Sequence, residues 1–121
     1  KWRYLPTLNS EQMTQLFIDA SLVVMTPKSD GSPVSAMEAM MVKTPVLLPP
    51  LNYDEEIFGE NVYRFDDWTP ESLSNSIEKI ISDPIESSHR VERAFNNVML
   101  KGNFYVEMSK VVSLYHSLIE R

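Results

Sequence analysis

Asp30 and Glu38, eight positions apart in Thr26-Pro27-Lys28-Ser29-Asp30-Gly31-Ser32-Pro33-Val34-Ser35-Ala36-Met37-Glu38, are the residues best placed to do chemistry. A carboxylate accepts several hydrogen bonds at once, so a pair of them suits a ligand rich in hydroxyls. Gly31 lets backbone come close to such a ligand, and a helix that opens after it presents unpaired N–H groups to an anion such as phosphate. Asp30 precedes that helix and Glu38 lies about a turn and a half into it, so both reach along one extended molecule. A sugar and a ribose fit the span. The plainer alternative makes Asp30-Gly31 a solvated turn in which Asp30 bonds its own backbone. Glu38 stands among Met37, Ala39, Met40 and Met41, which leaves it little polar face and predicts a buried carboxylate in need of a partner or ligand. Ser32 and Pro33 read as helix cap and first-turn proline under either alternative.

Other reactive residue types offer less. His89 and His116 have no carboxylate or cysteine at ligand spacing, and the chain has no cysteine. Asp54-Glu55-Glu56 reads as a solvated run or a charge bias at a helix start rather than a metal site, so no metal is expected. Tyr53 has the chemistry to stack on a base or sugar, or to pack in a core. Met37, Met40 and Met41 read as core filler, and Trp2 and Trp68 as structural.

The elements that must hold these residues alternate. Trp2–Leu5 is a short strand candidate, and Asn9-Ser10 caps a helix with Met13, Leu16, Phe17 and Ala20 on one stripe. Ser21–Thr26 is an apolar run suited to a strand covered on both faces. Val34–Val42 is helical, and Thr44–Leu48 and Val62–Phe65 are further strands. Thr69-Pro70-Glu71 opens a helix with Leu73, Ile77, Ile80 and Ile81 inward, and Asp83-Pro84 ends it. Two more helices follow, divided at Gly102-Asn103; Val91, Ala94, Phe95, Val98 and Met99 line the first. Met108, Val111, Val112, Tyr115, Leu118 and Ile119 line the second. Strands alternating with helices predict an α/β fold: a partial, Rossmann-like, doubly wound parallel sheet of about four strands, helices on both faces, and a helical C-terminal tail. Ligands of such sheets sit beyond the carboxyl ends of the strands, where Asp30 lies.

The 121 residues, 43% hydrophobic and 23% charged, suit a single domain with a core. A net charge of −6 argues against nucleic-acid or anionic-membrane partners. Any basic pocket must draw on the scattered Lys28, Lys43, Arg64, Arg90, Arg93 and Lys101. No apolar run is long enough to cross a bilayer and no signal sequence opens the chain, so a cytoplasmic protein is expected, with the full-length protein peripheral to the inner face of a membrane as the variant.

Ser29-Asp30-Gly31-Ser32-Pro33-Val34-Ser35-Ala36-Met37-Glu38-Ala39-Met40 resembles the acidic-x7-Glu motif of GT-B glycosyltransferases, in particular the retaining glycosyl transferases group 1 (family 4 type) that use nucleotide sugars. Ser10–Ala20, Ser21–Pro27, Thr44-Pro45-Val46 and Thr69–Pro84 resemble the family's flanking segments in order. The resemblance implies that residues 1–121 are the latter part of the C-terminal, donor-binding domain. It implies a UDP- or GDP-sugar as donor, no metal or cofactor, and transfer of a hexose to a saccharide, lipid or protein acceptor with retention. Asp30 would contact hydroxyls of the donor sugar and Glu38 the ribose, as the catalytic pair. Gly31, Ser32 and Pro33 would complete the donor site with backbone groups. The acceptor domain and the first two strands, with the Arg and Lys that grip the diphosphate, would lie outside this chain, leaving it inactive alone and Ser21–Thr26 as an exposed edge that implies dimerisation or a rearranged position for Trp2–Leu5. Two departures stand out. Lys43 replaces the family's glycine before Thr-Pro, and Pro49–Glu56 replaces its glycine-rich donor loop. A non-catalytic nucleotide-sugar-binding or scaffold domain is the alternative, and a phospho-receiver-like module fits less well, because its acidic pair and its Lys-Pro are missing.

Overall fold

A computed structural model describes residues 1–119. In chain order they form α1 (Ser10–Asp19), β1 (Val23–Val24), α2 (Val34–Met41), β2 (Val46–Leu48), a 3-10 turn (Gly59–Asn61), β3 (Tyr63–Arg64), α3 (Pro70–Ser82), α4 (Pro84–Lys101) and α5 (Phe104–Ile119). The α/β class is as expected. The strands make a parallel sheet in the order β1-β2-β3, with Val24 opposite Leu47 and Leu48 opposite Arg64.

Alternation along β2 divides the core. Val46 and Leu48 join Phe17 of α1, Ala36, Ala39 and Met40 of α2, and Ala94 and Val98 of α4. Leu47 joins Phe65 and Ile80, with Leu73 and Ile77 of α3 packed alongside. Helices therefore cover both faces, and β2 is the strand buried throughout. Ser21–Thr26, expected to be covered on both faces, is only half covered: Val23 is partly buried and Val24 is 38% exposed. The reason is its edge position. Val23 donates to Pro45 at 2.9 Å and Met25 to Leu47 at 3.0 Å, which turns the peptide groups of Val24 toward the open side.

The expected strand at Trp2–Leu5 is absent, so the sheet has three strands among the described residues rather than about four. A strand exists only through a partner's ladder. These residues find none, and Trp2 stays 87% exposed rather than structural. Trp68 does pack, edge-on to Phe65 at 5.7 Å.

Helix ends follow local chemistry. Asn9 accepts from the Gln12 N–H at 2.9 Å while the Gln12 side chain accepts from the Asn9 N–H, a complete capping box. Thr69 caps α3 ahead of Pro70, and Asp83 ends α3 and caps α4 ahead of Pro84. Ile81, expected inward, is 62% exposed, because a 100° step carries it past the stripe that ends at Ile80. Met40 is core and Met41 is exposed, so the methionines do not act alike. The apolar spacing of α5 is present but covers nothing: no described residue of α5 is buried. No helix is long and apolar enough to cross a membrane.

Two residues that precede β2 tie it to α1 and α4. The buried Thr44 hydroxyl donates to the Phe17 carbonyl at 2.6 Å, tying the end of α1 to β2. Thr44→Val should cost about 1 kcal/mol, since the carbonyl keeps a second donor in the Ala20 N–H. Chemical denaturation of the two proteins checks it. Lys43 has φ 60, the left-handed region, which accounts for a glycine at this place in the resembled family. Its ammonium pairs with Glu92 at 2.9 Å and lies 4.8 Å from the Phe95 ring centroid, partly offsetting a strain of roughly 1 kcal/mol.

Candidate functional site

Three loops leave the carboxyl ends of the parallel strands: Met25–Pro33 after β1, Pro49–Phe58 after β2, and Phe65–Thr69 after β3. The sequence places Asp30, Gly31 and Ser32 in the first, as expected of a ligand site in such a sheet. The Asp30 carboxylate accepts from the Ser32 N–H at 3.2 Å, forming the local turn that was the plainer alternative. Gly31 is exposed, and a Cβ built there would meet nothing within 4 Å. Neither close packing nor a left-handed backbone therefore demands a glycine at this point.

The expected cap at Ser32 is corrected by one residue. The N-cap of α2 is the buried Pro33, and no side chain caps the helix. Proline supplies the extended backbone, φ −74 and ψ 94, that feeds the first turn, and its carbonyl receives Ala36 N–H at 3.0 Å and Met37 N–H at 3.3 Å. The earlier N–H groups of Val34 and Ser35 have no place in the helical ladder. They face the end where an anion is best stabilised.

Glu38 is exposed, against the expectation of a buried carboxylate. Ala36, Ala39 and Met40 take the inward face of this short helix, and position 38 falls on the other side. There it lines a cleft of ≈ 270 Å³ with Ser35 of α2 and Leu8, Asn9, Ser10, Met13 and Thr14 from the start of α1, floored by Phe17. Glu38 thus faces a ligand-sized opening between two helix starts. Asp30 and Ser32 do not line this cleft; they lie in the loop before α2.

Charge is sparse around the site. Lys43, Arg64, Arg90, Arg93 and Lys101 all pair with glutamates, which leaves Lys28, two residues before Asp30, as the candidate cation without an ion pair among the described residues. Asp54-Glu55-Glu56 is exposed and partly paired, Glu55 with Arg64 at 3.1 Å and Glu56 with Lys101 at 3.0 Å. Among the described residues no group of three or more His, Asp or Glu gathers as metal ligands would. His89 and His116 are exposed on helices.

Tyr53 in the β2 loop is the residue whose setting its sequence context did not reveal. It is buried against Phe58, with ring centroids 5.8 Å apart, and its hydroxyl has no hydrogen-bond partner among the described residues. Burial, and then the charge of Asp30, push its phenol above the usual range, with Arg64 opposing.

The glycosyl transferases group 1 family model matches residues 1–97. The chain belongs to that family. No curated protein matches it. As a group 1 glycosyltransferase domain it is a nucleotide-sugar donor-binding region, and the loop-to-helix unit around Asp30 and Glu38 falls inside the match. The matched part ends within α4, so α5 lies beyond it.

Proposed function

We propose that this glycosyltransferase domain holds the donor of a retaining hexosyl transfer. The observation that carries the proposal is the placement of Glu38 on the wall of the cleft between the starts of α1 and α2, one turn beyond an uncapped helix N-terminus. Glu38 accepts hydrogen bonds from the two ribose hydroxyls, with the base lying toward Leu8 and Asn9. The diphosphate sits over the first turn of α2, where N–H groups stabilise charge without a metal. Asp30 accepts from hydroxyls of the hexose, and Gly31, Ser32 and Pro33 shape the passage between. In transfer the bond from the anomeric carbon to the diphosphate oxygen breaks, a bond to an acceptor hydroxyl oxygen forms on the same face, and the hydroxyl proton passes to the leaving diphosphate. Residues 1–121 form the latter part of the donor domain of a cytoplasmic enzyme. The acceptor, a saccharide, lipid or protein, is held by a separate domain.

A second reading, a domain that binds nucleotide sugar without transferring it, has one observation in its favour. Nearly all cations that would grip a leaving diphosphate are engaged by glutamates. Titration calorimetry with UDP, GDP and their sugars tests the donor site under both readings. Glu38→Ala should weaken nucleoside diphosphate and nucleotide sugar alike by about tenfold, the value of a charge-assisted hydrogen bond. Asp30→Ala should weaken the nucleotide sugar alone. Unchanged affinity in Glu38→Ala would place the nucleotide elsewhere.

A further inference from the structure

Tyr53 is only 5% exposed, yet its hydroxyl is unpaired among the described residues. Buried phenols ordinarily find a partner, and an unpaired one is destabilising, so its presence calls for a use. The ring belongs to the main core cluster, leans on Phe58, and has the Arg64 guanidinium 5.8 Å from its centroid. Val24 and Leu47 are register partners on neighbouring parallel strands, so the loops that carry Asp30 and Tyr53, each six residues further on, leave the same end of the sheet from adjacent positions. The negative charge of Asp30 is felt at the phenol. Asp30 meanwhile holds just one hydrogen bond among the described residues, the 3.2 Å exposed contact from Ser32 N–H.

From this arrangement, and resting on the donor-site reading above, we infer that Tyr53 is a positioning residue for Asp30. When a ligand oxygen takes the Ser32 N–H, the Asp30 carboxylate is released and accepts the Tyr53 O–H, which holds it against the sugar. The exchange is favourable on both sides. A long, solvent-exposed bond to the carboxylate is given up for one from a phenol at the edge of the core, where charge-assisted bonds are strongest. One carboxylate oxygen then faces the phenol and the other faces a sugar hydroxyl. Tyr53 thereby acts on the sugar half of the donor and leaves the nucleotide half alone.

Titration calorimetry of the wild type, Tyr53→Phe, Asp30→Ala and the double variant, with UDP, UDP-glucose, GDP and GDP-mannose as probes, tests it. Tyr53→Phe should weaken the bound nucleotide sugar about tenfold and leave its nucleoside diphosphate unchanged. In the Asp30→Ala background that loss should vanish, because the phenol no longer has a carboxylate to hold. The unfolding midpoint of Tyr53→Phe should equal or exceed that of the wild type, which separates the effect from misfolding. Equal weakening of diphosphate and sugar, a loss that persists without Asp30, or no loss would overturn the inference. If UDP and GDP still bind in a Glu38-dependent way, it falls alone. If no nucleotide binds the wild type, the donor-site reading falls and takes it along.

Discussion

Phe58→Ala is expected to cost about 3–5 kcal/mol, enough to consume most of the stability of a domain this small. Phe58 is fully buried and joins α2, β2 and α4 in the main core cluster. Its backbone also closes the β2 loop: its N–H donates to Asp54 at 2.8 Å, and its carbonyl receives Asn61 and Val62 at 2.8 and 3.2 Å. Truncation leaves a cavity that two packed helices and a strand cannot collapse around. Urea unfolding followed by circular dichroism measures the loss. A cost below about 1 kcal/mol would mean that the loop carrying Tyr53 is not seated on the core as described.

Arg90→Ala should cost about 2–4 kcal/mol, an unusual value for a side chain that reaches the surface. The Arg90 guanidinium donates to the Glu60 and Val62 carbonyls at 2.6 and 3.1 Å, and it lies 4.3 Å from the Tyr63 ring centroid. It thus fastens α4 to the segment that leads into β3. Glu86 completes the cluster by accepting from Arg90 at 3.0 Å and Arg93 at 3.3 Å. The hydrogen bond from Arg90, and after it that from Arg93, holds the Glu86 carboxyl below its usual range. A depressed folded-state pKa means stability that is present above the ordinary carboxylate range and lost as pH falls through the folded value. Arg90→Ala should therefore also shrink the loss of stability on acidification. Thermal melts of both proteins at neutral and acid pH check both parts, and an Arg90→Lys variant should recover only part, lacking the fork.

Most helix ends were legible because capping is local chemistry. Asn9 with Gln12, Thr69 with Pro70, and Asp83 with Pro84 each state a boundary within four residues. The central strand was legible as an apolar run, since β2 is buried on both faces. Trp2–Leu5 has strand propensity but forms no strand, because propensity says nothing about the availability of a partner. The stripe on α5 has helical spacing without burial for a related reason: periodicity reports a face, and what covers it is decided elsewhere.

At the candidate site the motif put Asp30, Gly31 and Glu38 in the right loop and helix, and composition then misjudged Glu38. Its methionine and alanine neighbours suggest burial, but inward positions on α2 are set by rotation about the axis, and Ala36, Ala39 and Met40 already fill them. The cleft beside Glu38 needs α1 to lie against α2, a contact over a sequence separation that no local pattern encodes. Tyr53 was open between stacking and packing for the same reason. Tyr53 and Asp30 lie in loops after different strands, and only strand pairing brings those loops to one end of the sheet.

The central claim is that the unit around Asp30 and Glu38 holds a nucleotide sugar. Amide chemical-shift mapping of the folded protein with UDP, GDP and ADP and their sugars tests it most directly. The expected map has shifts along Leu8–Met13 and Gly31–Glu38 for one nucleotide, extending to Asp30 and Tyr53 when the sugar is attached, and lost in Glu38→Ala. A folded protein that shows no shifts, or shifts confined to α3 and α5, would contradict it.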